Sequence, residues 1–96
     1  MNLLVETLNG KNINAFANDI KSAHIIKIDY VFDDEHLVLN EDHTIEEAIS
    51  FLNKLDFNYD NGHGLQYIGG TIHLKDGTIM RREEYDGAEG WIISKS

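Results

Sequence analysis

Apolar residues recur along this chain with two periods, and each change of period predicts an element. Leu3 to Leu8 reads as a short strand stopped by Asn9-Gly10. Asn12 or Asn14 then caps a helix to about Ala23, with Ile13, Phe16, Ala17 and Ile20 on one face. From His24 to Phe32 the period drops to two. Ile26, Ile28, Tyr30 and Phe32 fall on one face, with Lys27 and Asp29 on the other, as in a half-buried strand. Asp33-Asp34-Glu35 is a polar turn, and His36 to Asn40 returns as a second strand with Leu37 and Leu39 in phase.

The strongest local signal is a helix over Thr44 to Phe57. Thr44-Ile45-Glu46-Glu47 fits a capping box, and Ile45, Ala48, Ile49, Leu52 and Leu55 lie at helical spacing. Residues 58–64 form a loop. Leu65 to Lys75 and Thr78 to Tyr85 flank Asp76-Gly77, which predicts a two-residue hairpin turn. In that register Leu74 faces Ile79, Ile72 faces Arg81, and His73 pairs with Met80 on the other face. Gly69-Gly70 marks a bulge or a close backbone approach. Asp86 to Gly90 is a second turn, and Trp91 to Ile93 closes the sheet. The expected fold is α+β in the order β-α-β-β-α-β-β-β, a mostly antiparallel sheet of about five to six strands. Two helices are expected to cover one face.

Length and composition narrow the classes. The chain has 96 residues, which suits a single domain over 1–96. It has no Cys, which removes disulfides, thiolate catalysis and cysteine-ligated zinc. No apolar run approaches the roughly 20 residues of a membrane span. The first residues lack the basic start of a signal peptide, so a soluble cytoplasmic protein is expected. The formal net charge is −9, which argues against nucleic acid or an anionic membrane as a direct ligand.

That charge is local. Residues 1–28 carry a net +1, residues 61–96 a net −1, and residues 29–60 a net −9. Asp33, Asp34 and Glu35 sit at the expected turn, while Glu41, Asp42, Glu46 and Glu47 surround the expected helix start. Acids in a first helical turn complement the helix dipole, and a solvated acidic face aids solubility. The functional alternative is a docking surface in which carboxylates take the places of backbone phosphates against a basic groove. Glu83, Glu84, Asp86 and Glu89 make a second acidic patch.

Chemistry beyond charge finds little purchase. Asp33-Asp34-Glu35-His36 and Glu41-Asp42-His43 hold metal-ligand residue types, but at opposite ends of one strand. Asn58 to Gly69 lacks the acid an EF-hand needs at its twelfth position. No metal or other cofactor is expected. Asp60 with His63, or Glu84 with Asp86, would suit general acid–base work only inside a pocket. No nucleophile motif surrounds the serines, so no enzyme is expected, and a small hydrolase is the least favoured reading. Phe16, Phe32, Phe51 and Trp91 are assigned to the core. Tyr59, Tyr67 and Tyr85 lie in or beside loops, where tyrosine serves binding. Arg81 and Arg82 are expected to pair locally with Glu83 and Glu84.

The segment from Gly70 to Trp91 resembles the C-terminal part of small phage and prophage proteins that read G-T-I-W-x-K-D-G-T-W-x-x-R-x-E-Y-D-G-S-E-W-W. It covers about a quarter of the chain. Arg82-Glu83-Glu84-Tyr85-Asp86-Gly87-Ala88-Glu89 is its specific part, since Lys75-Asp76-Gly77-Thr78 is hairpin grammar. His73 and Ile79 stand where those proteins have Trp, and Gly90-Trp91 replaces a Trp pair, which thins their shared Trp surface here. The chain also looks like the small acidic phage proteins found among anti-CRISPR inhibitors. The resemblance implies a phage or prophage origin and an inhibitor role in the host cell. The expected partner is a basic nucleic-acid-binding protein or complex, such as a CRISPR effector. The alternative is a small homo-oligomeric assembly module, joined through an exposed sheet edge or a Tyr/Trp surface.

Overall fold

A computed structural model describes residues 1–59, 65–85 and 87–95. The architecture is α+β, with three helices and one five-stranded antiparallel sheet. In chain order the elements are α1 (Leu3–Leu8), α2 (Ile13–Asp19), β1 (Ile20–Lys27), β2 (Glu35–Leu39), α3 (Ile45–Asn53), β3 (Ile68–Leu74), β4 (Thr78–Tyr85) and β5 (Ala88–Lys95). Across the sheet the strands run β2-β1-β3-β4-β5.

The first correction is Leu3–Leu8, which is a helix and not a strand. Asn2 caps it by accepting the Val5 N–H, and Asn9 closes it in the left-handed region at φ 48. A helix this short is marginal alone. Tertiary contacts hold it: Leu3 N–H donates to the Phe57 carbonyl and Leu4 N–H to the Leu55 carbonyl. Those bonds satisfy donors that the first helical turn leaves open. The period over six residues cannot separate a helix from a strand when four of them are apolar.

The second correction concerns α2 and β1. Asn12 is the cap, but the helix ends at Asp19 and the strand starts at once with Ile20. In β1, Ala23 and Ile25 are buried in the core, the opposite phase from that expected. The strand stops at Lys27, so Tyr30, Val31 and Phe32 lie in an exposed connection. Phe32 is therefore not core: it is 79% exposed. Phe16 and Phe51 are buried as expected, and Trp91 is half-buried against the core.

Helix α3 carries the expected capping box, with Thr44 accepting the Glu47 N–H and Glu47 accepting the Thr44 N–H. It ends at Asn53, and Leu55 is buried beyond it. Strand β3 is shorter than expected at its start, and β5 is longer at both ends.

The β3–β4 hairpin differs by one residue. His73 pairs with Ile79, Ile72 with Met80 and Thr71 with Arg81. The connection thus holds three residues, 75–77. Gly77 takes φ 90 and donates its N–H to the Leu74 carbonyl at 3.1 Å. This is a turn that ends in a left-handed glycine, the usual basis of a three-residue hairpin loop. Because side chains alternate, the slip moves Arg81 outward and puts Arg82 on the core face with Thr78 and Met80.

Gly70 is the close approach expected in β3. At φ 120, an added Cβ would lie 2.0 Å from the His24 carbonyl oxygen of β1. At Gly69 the nearest atom would be 3.7 Å away, ordinary contact. Gly70→Ala should lower unfolding free energy by about 3 kcal/mol, combining backbone strain and a clash. Gly69→Ala should cost under about 1 kcal/mol. Urea unfolding of both variants checks this, and equal losses would refute the assigned close approach.

Candidate partner-binding site

Seven of the acids singled out in the sequence flank β2, an edge strand. Asp33, Asp34 and Glu35 sit at its start, and Glu41, Asp42, Glu46 and Glu47 follow its end. All seven are exposed. The first group ends on Glu35, the first residue of β2, and the second begins at Glu41, two residues past its end.

Several of these carboxylates have local work. Asp34 accepts the Asp29 N–H at 2.8 Å, and Glu35 pairs with Lys27 at 3.4 Å. Glu41 pairs with Lys21 at 3.2 Å. Glu47 is held below the usual carboxylate range, first by the Thr44 N–H, then by the Thr44 hydroxyl and the nearby His43. Among the described residues, Asp33, Asp42 and Glu46 make no hydrogen bond or ion pair.

The connection 28–34 has its own internal frame. Asp29 accepts the Val31 N–H at 2.8 Å and the Phe32 N–H at 2.9 Å. Those bonds, the Phe32 one foremost, lower its pKa. Tyr30 donates to the Gln66 carbonyl at 2.6 Å and meets Tyr67 edge-on, with ring centroids 6.1 Å apart. Val31 and Phe32 are left 81% and 79% exposed between Asp29 and Asp33. Phe32, expected in the core, is instead part of this apolar tip. Asp29 itself is the signal that the strand ends early, since an Asp side chain can bond the backbone two and three residues on.

The second patch does not hold together as one surface. Glu83 and Glu84 are exposed on β4, three strand spacings from β2, or about 14 Å. Glu84 accepts the Gly87 N–H at 2.8 Å, and Glu83 lies 3.9 Å from Arg81. Asp86 lies outside the described residues. Glu89 is not a surface acid at all: it is 6% exposed.

Glu89 belongs to a buried ion cluster around Arg82. The Arg82 side chain is fully buried. Its Nη1 donates to Glu6 at 2.8 Å, and its Nη2 donates to Glu89 at 2.8 Å and to the Tyr59 hydroxyl at 3.0 Å. Among the described residues its Nε has no hydrogen-bond partner. Its Cζ stands 5.0 Å from the Trp91 ring and 5.4 Å from the Tyr59 ring. Glu89 also accepts the Tyr67 N–H at 2.7 Å and the Ile68 N–H at 3.0 Å. Tyr59 donates its hydroxyl to Glu6. Burial alone would push the guanidinium pKa down, but the bonds to Glu89, Tyr59 and Glu6 outweigh it and raise it. The cluster carries one cation and two anions, every carboxylate being engaged by donors of the fold, which suits a structural staple.

Other candidates fall away or lie elsewhere. Asp60 and His63 are outside the described residues. His24 Nε2 and His36 Nδ1 stand 2.8 Å apart on the outward sheet face, a bond that needs one neutral ring. Among the described residues no group of three or more His, Asp or Glu side chains is arranged to hold a metal ion. No helix among them is long and apolar enough to cross a membrane.

Removing the cation should be costly. Arg82→Met leaves buried Glu89 and half-buried Glu6 without a counter-charge and should lose about 3–5 kcal/mol in chemical unfolding. The triple variant Glu6→Gln, Arg82→Met, Glu89→Gln should recover at least half. Tyr59 gives a pH prediction. Burial, then the Glu6 bond, pushes its hydroxyl up to about 12 against Arg82, from an ordinary 10.0. The neutral hydroxyl stabilises the fold fully below pH 10, and that contribution is lost as pH rises through about 12. Phenolate absorbance should show one of the four tyrosines titrating last, and Tyr59→Phe should flatten the alkaline loss of stability.

No protein-family model, curated protein or solved structure matches the chain.

Proposed function

We propose that the chain is a non-enzymatic, phage-type inhibitor that docks through the acidic end of its sheet. The partner is a basic nucleic-acid-binding site on a host defence protein, with the DNA channel of a CRISPR effector as the leading case. One observation carries the reading: exposed carboxylates stand at both ends of edge strand β2, with Val31 and Phe32 exposed beside one group. Carboxylates so placed would pair with Arg and Lys side chains that otherwise hold phosphates. The apolar tip adds what a purely solvated acidic face lacks, since interfaces centre on buried apolar anchors inside a polar rim. The chain would act in the host cytoplasm, encoded by a phage or prophage.

Competition predicts both kinetics and salt response. Association should be fast at low ionic strength and weaken as screening shortens to about 8 Å near physiological salt. The test is DNA cleavage by a panel of CRISPR effectors with the chain added in excess. Inhibition of at least one effector, relieved by salt, is expected. Asp33→Lys, Asp34→Asn, Glu35→Lys should reduce that inhibition at least tenfold while leaving the unfolding midpoint nearly unchanged. Asparagine at 34 keeps an acceptor for the Asp29 N–H. Inhibition untouched by the charge changes would refute the docking surface, and a panel without any inhibited member would refute the CRISPR target.

A further inference from the structure

The core face of the sheet is not covered evenly. Ile93 of β5 pairs with Met80 of β4, and Trp91 pairs with Arg82, so these four side chains share the face that the helices pack on. Met80 and Arg82 are buried there, yet Ile93 is 59% exposed. The reason is a cleft of about 320 Å³ between the end of α1, helix α2 and strands β3 to β5. Phe16, Leu74, Met80, Trp91 and Ile93 give it an apolar floor. The volume is at the low end of the roughly 300–1,000 Å³ of small-molecule sites, which suits one small ligand.

The polar groups around the cleft divide into those the fold has used and those it has not. Glu6 is held by Arg82 and Tyr59. Thr7 donates its hydroxyl to the Leu3 carbonyl at 2.7 Å and accepts the Trp91 indole N–H. Asp76 accepts the Thr78 N–H at 2.9 Å and pairs with Lys95 at 3.5 Å. Both carboxylates that line the cleft are therefore engaged. Asn9 and Lys11 line it too, and among the described residues neither side chain makes a hydrogen bond or ion pair. They stand on the tight α1–α2 connection, which the Lys11 N–H closes onto the Leu8 carbonyl at 2.9 Å.

We propose that this cleft binds a small apolar carboxylate. Its tail lies on Phe16, Met80, Trp91 and Ile93, and its head meets the Lys11 ammonium and the Asn9 amide. The unspent charge is a single cation, and lysine and asparagine side chains both donate. One monoanionic head matches that set. A cationic head would meet the ammonium and find no free carboxylate. Strand order supports the same sign, because the cleft lies against β4 and β5 while the acidic block flanks β2. Three to four strand spacings, or about 14–19 Å, exceed the screening length of about 8 Å at physiological salt.

This site is independent of the proposed inhibitor role, and the chain carries its own reporter, since Trp91 is the one tryptophan. Octanoate titrated into the whole chain should change Trp91 fluorescence saturably, with a Kd of about 0.1–1 mM. Octylamine, with the same tail and the opposite charge, and neutral 1-octanol should each bind about fivefold more weakly or worse. Lys11→Met should weaken octanoate about fivefold and leave 1-octanol unchanged, a split that a general loss of structure would not give. Lys11 is exposed, so the unfolding midpoint should stay near that of the parent chain. Ile93→Glu, at a second exposed position, puts a charge on the apolar floor and should weaken octanoate and 1-octanol alike. No saturable change up to about 10 mM octanoate, octylamine binding as tightly as octanoate, or a Lys11→Met variant with the parent affinity each overturns the inference.

Discussion

Arg82 is the point on which the rest of the molecule depends. A guanidinium without solvent exposure has to be neutralised and hydrogen-bonded where it lies, because an unpaired buried charge is very costly. Glu6 comes from α1, Glu89 from β5 and Tyr59 from the segment after α3. One side chain thereby ties the beginning, middle and end of the chain to the inner face of β4. Glu89 extends the link to the backbone of Tyr67 and Ile68 at the start of β3. The short helix α1 owes its place to this cluster and to its neighbours. Thr7 of α1 accepts the Trp91 indole N–H at 3.1 Å, and the carbonyls of Leu55 and Phe57 receive the helix's first free donors.

Register decides which arginine plays this part. Adjacent residues of a strand point to opposite faces, so Arg81 and Arg82 differ in everything but chemistry. A two-residue connection at Asp76-Gly77 would have turned Arg81 inward. The observed three-residue connection, closed by Gly77 at φ 90, turns Arg82 inward instead. Arg81 is left on the outer face near Glu83, an exposed contact worth little. A change of one residue in a turn therefore converts Glu89 from a candidate surface acid into a buried counter-ion.

The same sheet sorts charge from apolar surface. Strand order carries the acidic block to one edge and the nearly neutral, isoleucine-bearing β5 to the other. The acids flanking β2 protect that edge from strand pairing. The neutral edge has no such protection.

Some of this was legible before any coordinates. The capping box of α3 is read from Thr44 and Glu47 because its bonds are local, and the concentration of acid in residues 29–60 is a property of the sequence alone. The constraint at Gly70 and the antiparallel α+β class also follow from spacing and residue type. Apolar period alone did not decide α1, since six residues with four of them apolar fit either template, and the choice fell to carbonyls of Leu55 and Phe57 far along the chain. It did not decide the phase of β1, the exposure of Phe32, or the inward turn of Arg82. Those depend on where a strand ends and how many residues its turn holds. Such differences of one or two residues change local energies little, but they reverse which side chains the core must bury. The residues present were set by the sequence, and their partners by long-range packing that no local spacing records.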